Sequence, residues 1–172
     1  EKQVDFFQEQ FGFVSKSEWF NALKRKKLGS AESKVILTFD DAMSCHYDYV
    51  YKILSKRNLW GIFYVPTQPY QEGKVLDVHR IHLLCGAYSG TELLSTIKAF
   101  LKEEMIPDEK REEFRKQTYT RQDNYEGISE FKRILNYFVS YVYREKLIDL
   151  VAHELNYVFH TSKFYVPVDK LS

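Results

Sequence analysis

What is scarce in this chain narrows its class before any motif is read. Cysteine occurs only at Cys45 and Cys85, too few and too unpatterned for a disulfide framework or a zinc ribbon. No apolar run approaches the ~20 residues of a membrane span and no secretory leader heads the chain, so a cytoplasmic protein is the default expectation. Net charge is nearly absent too. The 25 Lys and Arg face 24 Asp and Glu for a formal +1, which leaves no global field to recruit nucleic acid or an anionic membrane. The local cluster Lys24-Arg25-Lys26-Lys27 ends an amphipathic segment, where cations complement a helix dipole, and no companion patch extends it into a nucleic-acid footprint. Also missing are the phosphate-cradling Gly-x-x-x-x-Gly-Lys, the Gly-x-Ser-x-Gly elbow and the dinucleotide-binding Gly-x-Gly-x-x-Gly.

What is there suits one globular domain with a core: 172 residues, 44% hydrophobic and 28% charged. Aromatic residues are plentiful, with 13 Tyr and 13 Phe, and fit both core packing and a carbohydrate-facing cleft. The stretch with most chemical promise is Val35-Ile36-Leu37-Thr38-Phe39-Asp40-Asp41. Its β-branched, non-alternating run reads as a buried strand of a parallel sheet, and it ends in two adjacent carboxylates. Ligands gather at the carboxyl ends of such strands, which makes Asp40 and Asp41 the first candidates for a site. Neighbouring strand residues point to opposite sides, so one carboxylate can hold a metal while the other deprotonates a water. The plainer alternative is that both only cap the helix that follows.

Taken in order, the chain opens with Val4, Phe6, Phe7 and Phe11 on helical spacing, as if inside an element, and a preceding segment is expected to be missing. Phe13-Val14 reads as extended. Ser15 or Ser17 caps a helix through about Lys27, with Trp19, Phe20 and Leu23 as its buried stripe and Gly29-Ser30 as its stop. A helix from about Cys45 to Arg57 leads to a second buried strand, Gly61 to Val65, closed by Pro66. Strand, helix and strand make a βαβ unit with parallel strands, and the loop Thr67 to Gly73 begins beside the carboxylates. From Lys74 the β signal vanishes. Val75 to Cys85, Thr91 to Glu104, Asp108 to about Thr118, Ile128 to Ser140 and Tyr143 to His160 read as helices, broken at Gly86, Gly90, Pro107 and Gly127. Lys116 to Glu126 lacks periodicity and reads as a flexible loop.

The ordered set Thr38-Phe39-Asp40-Asp41-Ala42, Tyr47 or Tyr49, Ile53-Leu54 and Gly61-Ile62-Phe63-Tyr64-Val65-Pro66 resembles the opening of the polysaccharide deacetylase (NodB-homology, carbohydrate esterase family 4) family. Val75-Leu76-Asp77-Val78-His79-Arg80-Ile81-His82 and Phe131-Lys132-Arg133-Ile134-Leu135 resemble a subgroup with a helical insertion after the second strand. The resemblance covers most of the chain, and the ordered set is more specific than Thr-Phe-Asp-Asp alone. It implies an α/β fold, a partial (β/α) barrel. Residues 1–73 would be its first βα units, 74–160 a large helical insertion and 161–172 a return toward the barrel. It also implies metal-dependent hydrolysis of N-acetyl groups on a sugar or polysaccharide, with Asp40 as catalytic base and Asp41 as ligand of a divalent metal, zinc in this setting. The family's two metal histidines and its leaving-group histidine follow a third strand, which the chain ends before at Ser172. The chain alone is therefore expected to be inactive and to associate with another chain or segment that completes the barrel. Ala42 stands where the family has a glycine suited to a turn. That departure motivates the alternative of a non-catalytic deacetylase-like domain binding a glycan or a partner protein.

Three histidines are candidates for binding substrate or steadying a carboxylate. His46 lies a few residues beyond Asp41, close enough to support a carboxylate by hydrogen bonding, or else is a solvated helix residue. His79 and His82 lie three apart on one helical face and can in principle share a metal, though they miss the family's His-Ser/Thr-x-x-His step. Their alternative is structural, as half-buried polar residues among Val78, Ile81, Leu83 and Leu84.

Overall fold

The computed structural model of the chain describes residues 1–29, 32–115 and 126–171 and separates it into two units, Glu1–Gly73 with Thr161–Ser172, and Lys74–His160. The first unit opens with α1 (Lys2–Gln10) and α2 (Lys16–Arg25). Ser15 starts α2 through a capping box: its hydroxyl accepts from the Glu18 amide at 3.2 Å, and the Glu18 carboxylate accepts from the Ser15 amide at 2.8 Å. The stop comes before the expected glycine. Lys26 takes the left-handed conformation, and the Lys27 amide turns back to the Ala22 carbonyl. The expected buried stripe of α2 is corrected as well, because Ala22 is buried, Trp19 is half-buried, and Phe20 and Leu23 face solvent. Helical spacing says which side chains share a face and is silent on whether anything covers it.

The strands β1 (Thr38–Phe39) and β2 (Ile62–Phe63) pair in parallel, Thr38 opposite Ile62 and Phe39 opposite Phe63. One more parallel bridge joins Phe13 to Val35. Between the strands run a wide π-helical segment, His46–Tyr51, and α3 (Lys52–Lys56). The order is βαβ, but the barrel is not found. The chain is mostly helical with a two-stranded parallel sheet, and the partial (β/α) barrel is overturned. A barrel closes only when many strands pair around a ring, whereas each of these apolar runs gives two residues to the ladder. Nor are the strands buried: Phe63, Tyr64 and Val65 are exposed, and Val35 to Leu37 only half-buried. After β2, α4 (Gln68–Glu72) occupies the expected loop, with Pro69 buried in its first turn.

The described part of the second unit is helical: α5 (Asp77–Ala87), α6 (Gly90–Phe100), α7 (Asp108–Arg115), α8 (Ile128–Arg133) and α9 (Tyr141–Glu154), with a π-helical turn, Ile134–Phe138, continuing α8. Its core gathers Ile81, Leu84, Leu93, Ile97, Phe131 and Ile148, all without solvent access. This apolar cluster is built from the helices of the second unit. Gly86 does not break α5 but sits inside it, while Gly90 opens α6 where the backbone of Glu126 and Ile128 passes too close for any side chain. Of the predicted flexible loop, residues 116–125 lie outside the described residues.

The chain re-enters the first unit at α10 (Thr161–Phe164), where the Thr161 hydroxyl donates to the Gly73 carbonyl at 2.8 Å. The two ends of the first unit are thereby stitched together at the point where the second is inserted. No described helix is long and apolar enough to cross a membrane.

Candidate functional site

The backbone turns sharply where β1 ends. Asp40 is exposed, Asp41 is half-buried with φ 76°, and Ala42 is buried with φ 49°. Two successive residues with a Cβ in the left-handed region cost roughly 1–2 kcal/mol each, so the turn persists only because its surroundings hold it. The hold is visible next door. Val166 N–H donates to the Ala42 carbonyl at 2.9 Å, Met43 bridges Tyr165 in antiparallel fashion, and the Ser44 hydroxyl donates to the Lys163 carbonyl at 3.4 Å. Tyr70 adds a hydroxyl donated to the Val166 carbonyl at 3.0 Å, and burial pushes that phenol above its usual pKa.

One turn further, the His46 ring tilts against Phe39 and Phe63 at 5.7 and 6.1 Å, and those two rings stack on each other at 4.8 Å. Burial holds His46 below the usual histidine pKa, outweighing the opposing pull of Asp41 and Asp40. Its Nδ1 is buried with no hydrogen-bond partner, so the ring is seated by aromatic packing and that nitrogen does not steady a carboxylate. His46 also lines a cavity of about 590 Å³ with Ala42, Tyr47, Tyr51, Phe63 and Val65, faced by Val166, Asp169, Lys170 and Leu171. Tyr47 and Tyr51 lie parallel, centroids 5.7 Å apart with 4° between planes, and Lys170 pairs with Asp169 at 3.2 Å.

The sequence candidates therefore separate. Asp40, Asp41 and His46 share the first unit, whereas His79 and His82 stand on α5 in the second. His79 is buried and His82 exposed; the His82 pKa is lowered by burial first and by Lys132 and His79 after it. Among the described residues no three His, Cys, Asp or Glu side chains converge as a metal group. A hydrolytic zinc site takes three protein ligands, so the carboxylate turn does not by itself fit the expected metal. Sequence reasoning missed Tyr51, Phe63, Val166, Asp169 and Lys170. The four-residue step from Tyr47 to Tyr51 was a signal for a shared helical face, but nothing local announces that residues 166–171 return to Ala42. No protein-family model, curated protein or solved structure matches the chain.

Proposed function

We propose that the Asp40–Asp41 turn is the reacting end of a sugar N-deacetylase, a hydrolase that cleaves the amide bond of an N-acetyl group to acetate and a free amine. The observation that supports this reading most is the pair of adjacent carboxylates at the carboxyl end of a parallel strand, next in the chain to an aromatic-lined cavity. Asp40, the more exposed of the two, accepts a proton from the water that attacks the acetamido carbonyl carbon, and the proton passes to the nitrogen as the C–N bond breaks. Asp41 keeps the ligand role of the deacetylase resemblance, and a divalent metal, zinc in that resemblance, is proposed there only together with ligands other than those described. Carbohydrate is the proposed partner. The proposed compartment is the cytoplasm, in keeping with the free thiols of Cys45 and Cys85.

The test is Asp40→Asn in the intact protein. Acetate release from N-acetylated oligosaccharides is expected to fall roughly 10²- to 10⁴-fold with the far-ultraviolet circular dichroism unchanged, and retained turnover removes Asp40 from the mechanism. Ala42 in the glycine position favours a second reading, a glycan binder without turnover. Sugar binding by the wild-type protein with no acetate released would assign it.

A further inference from the structure

Resting on the sugar reading of the first unit, we infer that His46 is the hydrogen-bond donor of the cavity it lines, a neutral imidazole held as the Nε2–H tautomer that grips an oxygen of a bound sugar ring. The two nitrogens of this imidazole have unlike surroundings. Nδ1 is shut away from solvent without a partner, and Nε2 is not. Among the described residues neither nitrogen makes a hydrogen bond, so no side chain or carbonyl there competes with a ligand for Nε2. A proton on Nδ1 would strand a donor with no acceptor, which folded chains rarely tolerate, whereas a proton on Nε2 stays open to water or to a ligand. Full protonation would strand the same Nδ1 donor, in line with a pKa that burial holds below the usual histidine value. Packing against Phe39 and Phe63, with centroids 5.7 and 6.1 Å away, holds the ring in that setting. The rest of the lining suits a sugar. Tyr47 and Tyr51, with 4° between their planes, offer an aromatic surface to the apolar side of a pyranose, and the Asp169–Lys170 pair offers an acceptor and a second donor to its hydroxyls. The volume of about 590 Å³ falls in the ~300–1,000 Å³ range of sites for one small molecule.

Two measurements on the 172-residue chain test this. Long-range proton–nitrogen correlation spectra of the free chain at pH 7.5, with His46 assigned by its disappearance in His46→Gln, are expected to show the Nε2–H tautomer, and adding the chitin-type dimer of N-acetylglucosamine should shift that Nε2 resonance. Titration calorimetry with the same dimer is expected to show binding that His46→Phe, which keeps the aromatic packing and loses the donor, weakens about fivefold or more with circular dichroism unchanged. His46→Gln, whose amide N–H can stand near the place of Nε2, should bind more tightly than His46→Phe. A proton on Nδ1 in the free chain, no binding by the wild type, or binding by His46→Phe within fivefold of wild type overturns the inference. The spectra decide even if a variant does not fold. The N-deacetylase reading fails separately. If glucose binds as tightly as N-acetylglucosamine and both need His46, the donor stands but the acetamido recognition does not.

Discussion

Ala42 concentrates the residue-scale questions, since it combines 3% exposure, φ 49° and a carbonyl bound to Val166. Ala42→Gly would relieve about 1 kcal/mol of left-handed strain but forfeit a buried methyl worth about 0.8 kcal/mol and add unfolded-state freedom. The unfolding free energy from urea titration should therefore stay within about 1 kcal/mol of wild type, whereas Ala42→Val, β-branched in a crowded left-handed site, should cost about 2 kcal/mol or more. The departure from glycine was legible in the sequence; the opposing burial term was not, because it depends on Val166. His46 makes the second residue-scale prediction. Its pKa is lowered below 6.5 by burial, against the pull of Asp41 and Asp40, so on acidification the unfolded chain takes up the proton first. This contribution to stability is whole above about pH 6.5 and declines as pH falls toward the folded-state value. Urea midpoints should drop between about pH 7.5 and 5.5, with His46→Phe flattening that drop; a slope unchanged in the variant would show that other groups carry it.

At the scale of elements, local signals succeeded where local chemistry decides. Ser15 and Glu18 spell out a capping box and the box is formed, because both partners lie within one helical turn. Signals failed where a distant surface decides, as with Phe20 and Leu23, on the right period but uncovered. The glycines divide in the same way. Gly86 was expected to end a helix yet lies inside α5 with open space around its Cβ position, while a Cβ at Gly90 would stand 1.9 Å from the Glu126 carbonyl oxygen and 2.5 Å from the Ile128 amide nitrogen. These positions predict opposite outcomes. Gly86→Ala should stabilise the fold by roughly the 0.5–1 kcal/mol of helix propensity and raise the thermal midpoint, and Gly90→Ala should destabilise it by about 2 kcal/mol or more and lower the midpoint, since backbone and not a flexible side chain must move. Equal melts for the two variants would contradict the close approach.

For the whole molecule, the decisive feature is the insertion of a helical unit between Gly73 and Thr161, residues tied by a 2.8 Å hydrogen bond. The inserted unit owns the fully buried cluster around Phe131 and Ile148, so it has the means to fold by itself. A chain in which a short Gly-Ser linker replaces residues 74–160 is expected to keep the parallel β1–β2 pairing and the Ala42–Val166 hydrogen bond, both read from amide hydrogen exchange. Residues 74–160 expressed alone should give a helical spectrum with one cooperative melt. Loss of protection at Val166 in the shortened chain would mean that the returning segment depends on the inserted unit.

The sequence by itself determined the things that neighbours within a turn or two control: the α2 cap, the helical periodicities after Lys74, and a carboxylate pair set at the end of an apolar strand. Tertiary structure alone decided that the strands pair for two residues without closing a barrel. It also decided that His79 and His82 fall in a different unit from Asp40, and that residues 161–171 return to wall the cavity at Ala42. The reason is one of range. Propensity and capping act through bonds a few residues apart, whereas burial and the contacts that shape a cavity depend on what lies opposite, here 119 residues away in the chain between Ser44 and Lys163.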